Sequence, residues 1–247
     1  MGAVRYRIYT IKKRERVLEA VVKARTQELE KEKHKSEELL LNILPHETAE
    51  ELKRFGAAKA KRHNLVTVMF SDFKGFTRIS GMLEPEDLVA EIDKCFRAFD
   101  EIIERHGLEK IKTVGDAYLC VGGITSTGPD EAVRVIKAGL EIQEFMRGIG
   151  IEQELSHRPV FEARIGIHTG PVVAGIVGIK KFAYDIWGDT VNLASRMETY
   201  GEVGRVNISE TTYMAVKEHF RCKYHGQFSE DISNPINMYL VEEYLEQ

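Results

Sequence analysis

The sequence predicts an α+β domain, βαββαβ in order, with helices on one face of an antiparallel sheet and one long helix in front. Three observations predict it. From about residue 8 to residue 44 no Gly or Pro interrupts the chain until Pro45. Beyond residue 60, short runs rich in β-branched residues alternate with two amphipathic stretches. The turn dipeptides Gly115-Asp116 and Gly170-Pro171 each separate two such runs.

Taken in order, residues 4–16 carry six basic residues and one acid, in a chain whose net charge is -4. A basic, aromatic-containing segment suits the cytoplasmic side of a membrane surface, or simply a solvated helix start. A heptad seam then falls on Ile8, Ile11, Glu15, Leu18, Val22, Arg25, Leu29, Glu32, Ser36, Leu39 and Ile43. Its ends are apolar and its middle polar, the pattern of a weak two-stranded coiled coil. Pro45 ends this helix, Glu47–Phe55 is a short second one closed by Gly56, and Ala57–Asn64 reads as a connector. The expected organisation is residues 1–44 as a signalling helix, 45–63 as a linker and 64–247 as the catalytic unit.

Leu65–Phe70 is an apolar, β-branched run that reads as a buried strand. It stops at Ser71-Asp72, with Gly75 three residues on. Pro85–His106 has helical spacing at Leu88, Ile92, Phe96, Phe99, Ile102 and Ile103, and Gly107 stops it. Residues 107–123 read as a hairpin, with Leu108, Lys110, Lys112 and Val114 on one face of its first strand and Tyr118–Val121 returning. Gly122–Gly128 reads as a flexible loop. Asp130–Ile149 is a second amphipathic helix. Val160–Thr169 is a strand, and Gly170-Pro171 turns the chain into Val172–Val177. This order is the ferredoxin-like, split βαβ arrangement.

Composition narrows the chemistry. Hydrophobic residues make up 43% of the chain, enough for a sizeable core. The mild negative charge gives no case for nucleic-acid binding. Three scattered cysteines, Cys95, Cys120 and Cys222, fit a reducing compartment and form no metal pattern. No apolar run approaches the roughly 20 residues that span a bilayer.

Asp72 and Asp116 lie 44 residues apart, each where a strand ends. If strands one and two lie near the sheet centre, the two carboxylates converge beside a glycine turn. That is what Mg²⁺ carrying a polyphosphate requires, because the ion takes one or two protein carboxylates and fills its remaining sites with phosphate oxygen and water. Each residue alone has a plainer reading: Asp72 as a helix cap, Asp116 as turn chemistry. In residues 182–201, Asn192 and Arg196 sit four apart on one face of a helix starting near Asp189. An amide and a guanidinium so spaced can hold a sugar and then a phosphoryl oxygen, or can be an ordinary solvated face.

The strings FSDFKGFT, KTVGDAYL and YDIWGDTVNLASRM, in this order, resemble the catalytic domain of class III nucleotidyl cyclases over about residues 60–243. The resemblance implies that Asp72 and Asp116, with the backbone carbonyl of Phe73, hold two Mg²⁺ or Mn²⁺ ions. It implies that the turn Phe73, Gly75, Phe76, Thr77 meets the substrate phosphates. Asn192 then orients the ribose and Arg196 stabilises the phosphate in the transition state. Lys112 and Asp185 fall at the base-reading positions and are of the adenylyl type, since Asp accepts from the adenine N6 amine and Lys donates to a ring nitrogen. The contact to the terminal phosphates stays open between Lys223 and His225, and His168 reads as structural. The resemblance further implies ATP as substrate, a homodimer through the catalytic domain whose sites take residues from both subunits, and an upstream membrane sensor acting through the coiled coil. The expected location is the cytoplasmic side of a bacterial receptor. A guanylyl or dual-specificity cyclase and a silent nucleotide-binding scaffold are the alternatives.

Overall fold

The computed structural model describes residues 2–125, 128, 130–178, 182–229 and 235–245. It divides into two units, Met1–Ala58 and Lys59–Gln247. The first holds α1 (Gly2–Leu41) and α2 (His46–Phe55). Pro45 opens α2, and Gly56 closes it in the left-handed conformation at φ 69°. Lys53 ties the two helices by reaching Glu37 at 3.3 Å. Along α1 the seam residues Leu18, Val22, Leu29 and Leu39 are exposed. No helix among the described residues is long and apolar enough to cross a membrane.

The second unit is an eight-stranded sheet in the order β2-β3-β1-β4-β6-β8-β7, with β5 pairing β4. Its strands are β1 (Lys61–Phe73), β2 (Glu109–Val114), β3 (Ala117–Gly122), β4 (Ala163–Val177), β5 (Ala183–Trp187), β6 (Val206–Ser209), β7 (Phe220–Phe228) and β8 (Ile236–Tyr244). The helices are α3 (Phe76–Ser80), α4 (Pro85–Arg105), α5 (Glu131–Leu155), α6 (Asp189–Thr199) and α7 (Glu210–Val216). β1 is antiparallel to both β3 and β4, while β4 and β6 are parallel.

The two faces of β4 explain the layering. Ile165 and Ile167 are fully buried in the cluster that α4 and α5 build with Met69, Phe99, Ile136 and Ile142. The alternate residues Gly166 and Gly170 lie under α6. A Cβ on Gly166 would stand 1.8 Å from the Glu198 nitrogen, and one on Gly170 would stand 2.5 Å from Thr190 Oγ1. The helix therefore rests directly on backbone there, which only glycine permits.

Several expectations are corrected. β1 begins at Lys61, inside the expected connector, and Leu65 is 70% exposed rather than buried. Gly170-Pro171 makes no turn, because β4 runs unbroken through it. Two residues of β1, Asn64 and Leu65, bulge opposite Pro171, between the pairs His63–Val172 and Val66–Gly170. On its other side β4 pairs β6 before Pro171 and β5 after it, so the missing N–H costs no ladder bond. β2 is an edge strand with β3 next to it, and β1 lies inside the sheet between β3 and the central β4. A bulge between Lys110 and Lys112 breaks the expected alternation, sending Lys110 to Asp100 and Lys112 to Asp185. α5 continues six residues beyond Ile149 through Gly150 to Leu155. Buried Gln153 holds that extension by donating to Glu91 at 3.1 Å and accepting from the Phe161 amide at 2.8 Å. Of the expected loop 122–128, Ser126 and Thr127 lie outside the described residues, and Gly122 is the last residue of β3.

Candidate active site

Asp72 stands near the end of β1, and Asp116 occupies the turn between β2 and β3. Ser71 pairs with Tyr118 across the ladder, which carries Asp72 to the mouth of that hairpin. Gly115 at φ 62° lets the turn close. The two carboxylates are near enough for the charge of one to act on the other. Burial, and after it the negative charge of Asp72, push the Asp116 carboxyl up to about 6. Asp72 caps no helix; Gly75, at φ 66°, takes the cap position of α3 with open space around it.

Arg164 carries no local signal of a role in the sequence. It sits directly across from Asp72 on β4, and its Nη2 donates to Asp72 Oδ2 at 3.2 Å. The same Nη2 lies 2.8 Å from Glu198 Oε1 near the end of α6, and Nη1 reaches the Thr199 carbonyl at 3.4 Å. Glu198 is 6% exposed, and burial raises its carboxyl while Arg164 opposes the rise. One guanidinium thus bridges two acids, Asp72 and Glu198, and its charge opposes the rise at Asp116. The signal available in the sequence was the alternation of β4, which puts Arg164 on the Gly166 face.

The remaining negative charge at Asp72 and Asp116 suits a hard cation. Among the described residues no group of three or more His, Cys, Asp or Glu is placed to hold an ion by itself. Two carboxylates are the donor set of an ion that brings phosphate oxygens with it. The Phe73 side chain is 2% exposed and packs on Phe76, Phe96, Phe99 and Phe161, leaving only its backbone for a ligand. Phe76 packs against the same core, whereas Gly75 and Thr77 are exposed.

A second group forms elsewhere in the unit. Lys112 Nζ on β2 bonds Asp185 Oδ2 on β5 at 2.5 Å. β5 pairs only with β4, so this contact brings the β4–β5 arm back to the edge strand. Asp185 also accepts its neighbour's amide through Oδ1 at 2.9 Å, which fixes the carboxylate plane. Asn192 and Arg196 are exposed one turn apart on α6, and the Arg196 guanidinium lies 6.0 Å from the Phe228 ring centre. α6 starts at Asp189 after Gly188, with no side-chain cap bond. His168 is buried, bonded through Nδ1 to Ser209 Oγ at 2.6 Å, and burial pushes its pKa down to about 4. His225 bonds the Tyr200 carbonyl at 3.2 Å and stands 3.5 Å from Glu202, while Lys223 is exposed on β7. Asp72 and Asp116 are thus joined, as are Lys112 and Asp185; Arg164 and Glu198 link the first pair to the base of α6.

The profile described as the adenylate and guanylate cyclase catalytic domain matches residues 58–243. A Mycobacterium tuberculosis protein named adenylate cyclase is 37% identical over 202 residues, covering 81% of this chain and 45% of its own length. Human atrial natriuretic peptide receptor 2 is 40% identical over 204 residues, covering 81% of this chain and 19% of its own. The chain therefore spans less than half the length of these relatives. Among solved structures, an adenylyl cyclase from P. aeruginosa superposes with TM-score 0.69 at 32% identity, covering 75% of this chain and 96% of that one. The catalytic core of a rhodopsin-guanylyl cyclase with converted specificity, in complex with ATPαS, gives TM-score 0.69 at 36% identity over 74% and 97%.

Proposed function

The chain belongs to the adenylate and guanylate cyclase catalytic domain family, and within it we propose an adenylyl cyclase that converts ATP to 3′,5′-cyclic AMP and pyrophosphate. The observation that carries ATP over GTP is the bond between Lys112 and Asp185. It sets an acceptor and a donor side by side for one planar base. Adenine offers an N6 amine to the carboxylate and a ring nitrogen to the ammonium. Guanine would turn its O6 acceptor toward the carboxylate, which repels it. The guanylyl reading is kept because a Rattus norvegicus protein named retinal guanylyl cyclase 2 matches at 41% identity, beside the 37% of the adenylate cyclase.

Asp72, Asp116 and the Phe73 carbonyl would hold two Mg²⁺ or Mn²⁺ ions, which when bound would acidify the ribose 3′-hydroxyl and neutralise the leaving phosphate. The bond from O3′ to the α-phosphorus forms as the bond from that phosphorus to the oxygen bridging to the β-phosphate breaks; the hydroxyl proton passes to water, and pyrophosphate leaves with the bridging oxygen. Asn192 holds the ribose so that O3′ lies in line. Arg196 gives its fork of donors to the α-phosphoryl oxygen as charge grows there. The turn at Gly75, Phe76 and Thr77 presents backbone amides to the phosphates.

The unit works as a homodimer with composite sites: the aspartates come from one subunit, and Lys112, Asp185, Asn192 and Arg196 from the other. The pairing of Lys112 with Asp185 inside one chain supports that division. The exposed apolar residues of α1 support a parallel coiled coil, and the strand order β2-β3-β1-β4 supports the ferredoxin-like description. Residues 1–44 and 45–63 are then the signalling helix and linker to an upstream membrane sensor, on its cytoplasmic side. The deciding experiment incubates the protein with ATP or GTP and Mn²⁺ and separates products by chromatography. Cyclic AMP, lost in Asp72→Ala and in Arg196→Ala, is the expected result. Cyclic GMP as main product would replace the adenylyl reading, and no product from either would favour a scaffold.

A further inference from the structure

Four buried hydroxyls form one continuous chain that ends on His168. Thr67 Oγ1 meets Thr169 Oγ1 at 3.0 Å, and Thr169 Oγ1 meets Thr212 Oγ1 at 3.0 Å. Thr212 Oγ1 meets Ser209 Oγ at 3.2 Å, and Ser209 Oγ meets His168 Nδ1 at 2.6 Å. All five residues are 7% exposed or less. The chain has four links and four hydroxyl protons. If each hydroxyl donates toward His168, every proton finds an acceptor and the last acceptor is Nδ1. In the opposite sense Nδ1–H adds a fifth proton, and the Thr67 hydroxyl is left buried with no acceptor among the described residues. Leaving a buried donor unmade is the costly arrangement. The chain therefore sets the tautomer: the neutral ring carries its proton on Nε2.

That Nε2–H has no hydrogen-bond partner among the described residues. It lies beside Gly170, where a Cβ would stand 3.5 Å from it, on the side of the sheet that α6 covers. His168 there lines a cavity of about 400 Å³ between β4 and the first turn of α6. Val172, Trp187 and Leu193 supply apolar wall, and Arg62, exposed on β1, stands at the rim. Asp189 is on the same wall, in the first turn of α6, where an acid complements the positive end of the helix. Arg62 is then the charge left for a ligand. A mostly apolar cavity of this size with one buried donor and one cation has the make-up of a small-molecule site. Asp185, Asn192 and Arg196 do not line it. We propose that this cavity binds a small carboxylic acid with an apolar body: its carboxylate accepts from His168 Nε2–H under the charge of Arg62, and its body lies against Trp187 and Leu193. The site does not depend on which nucleotide turns over.

Trp187 is the only tryptophan of the chain, so its fluorescence reports this cavity alone. The test titrates the full chain with cyclohexanecarboxylate, which has the head and the body. Cyclohexanemethanol keeps the body without the charge, and acetate keeps the head without the body. The acid should change Trp187 fluorescence saturably, with a Kd on the order of 1 mM for a ligand of this size. The alcohol and acetate should each bind at least about tenfold more weakly. His168→Asn keeps an acceptor for Ser209 and removes the Nε2 donor; it should weaken the acid about tenfold or more, the range for a hydrogen bond to a charged group. Arg62→Gln changes an exposed side chain, so the fold is kept, and should also weaken the acid severalfold. Saturating Mn²⁺ with ATP should leave the acid's Kd within about twofold. No saturable change, or an alcohol that binds as well as the acid, overturns the proposal. So does wild-type affinity in both variants. Displacement of the acid by Mn²⁺ with ATP would make the cavity part of the nucleotide pocket and overturn it as a separate site.

Discussion

Lys112 and Asp185 meet at 2.5 Å across 73 residues of sequence, joining the edge strand β2 to the arm formed by β4 and β5. Neither strand pairs with the other. The contact therefore depends on the arm's path, and it presets the spacing of the two groups proposed to read the purine edge. Asp185→Ala removes the acceptor and leaves Lys112 without its partner. The expected result is a fall in kcat/KM for ATP of about ten- to a hundredfold, the range for losing one charged hydrogen-bond partner. The preference for ATP over GTP should shrink, measured as the ratio of the two cyclic products.

If Arg196 serves the α-phosphoryl oxygen as proposed, Arg196→Ala should lower kcat by about a hundred- to a thousandfold, with a smaller change in KM, because donors there act on charge that develops only in the transition state. Mn²⁺ with ATP should raise the melting temperature of the unaltered protein, and Asp72→Ala should abolish both that rise and turnover. Mixing the two inactive variants in equal amounts then tests the composite site. Random pairing makes half the dimers mixed, each with one intact site, so about a quarter of wild-type activity returns. A mixture as inactive as its components would place both residues in one subunit's site.

Much of this was legible in the sequence, and what was not has definite causes. Asp72, Asp116, Asn192 and Arg196 stood out because they sit at element ends or repeat at helical spacing, which are local signals. Lys112 and Asp185 were named as a pair only through family resemblance, since the bulge at Ile111 that aims Lys112 is invisible in the residue pattern. Pro171 read as a turn because its lost N–H counts against a strand; only the opposing bulge in β1, a tertiary fact, makes it harmless. Arg164 was passed over because an Arg on an alternating strand looks solvated. Its partners, Asp72 and Glu198, come from β1 and α6, and nothing local announces them.

His168 makes stability depend on pH. In the unfolded chain it titrates near 6.5, whereas burial pushes it down to about 4 in the fold. Between these values the unfolded chain binds a proton that the native state refuses. Stability is therefore complete above pH 6.5 and is lost as pH falls toward 4, by up to about 3 kcal/mol from this group. His168→Asn, which can keep a bond to Ser209, should flatten that part of the curve of denaturation midpoint against pH. An unchanged slope would assign the loss to other groups.

Gly166 carries the tightest contact between the sheet and α6. A Cβ there would lie 1.8 Å from the Glu198 nitrogen, 2.4 Å from the Met197 carbonyl carbon and 2.5 Å from the Glu198 Cα. All three are backbone atoms, so no side-chain rotation relieves the clash, and α6 must lift from β4 or tilt. Its neighbours resist this, because Asn207 Nδ2 holds the Met197 carbonyl at 2.8 Å and Arg164 holds Thr199 and Glu198. Gly166→Ala should cost at least about 3 kcal/mol, the upper range for overpacking, read from the shift in urea midpoint. Whatever protein still folds should lose kcat far more than Mn²⁺ affinity, since Arg196 rides on the displaced helix while Asp72 and Asp116 lie on β1 and the β2–β3 turn. Loss of metal affinity in equal measure would mean that α6 and the aspartates move as one body.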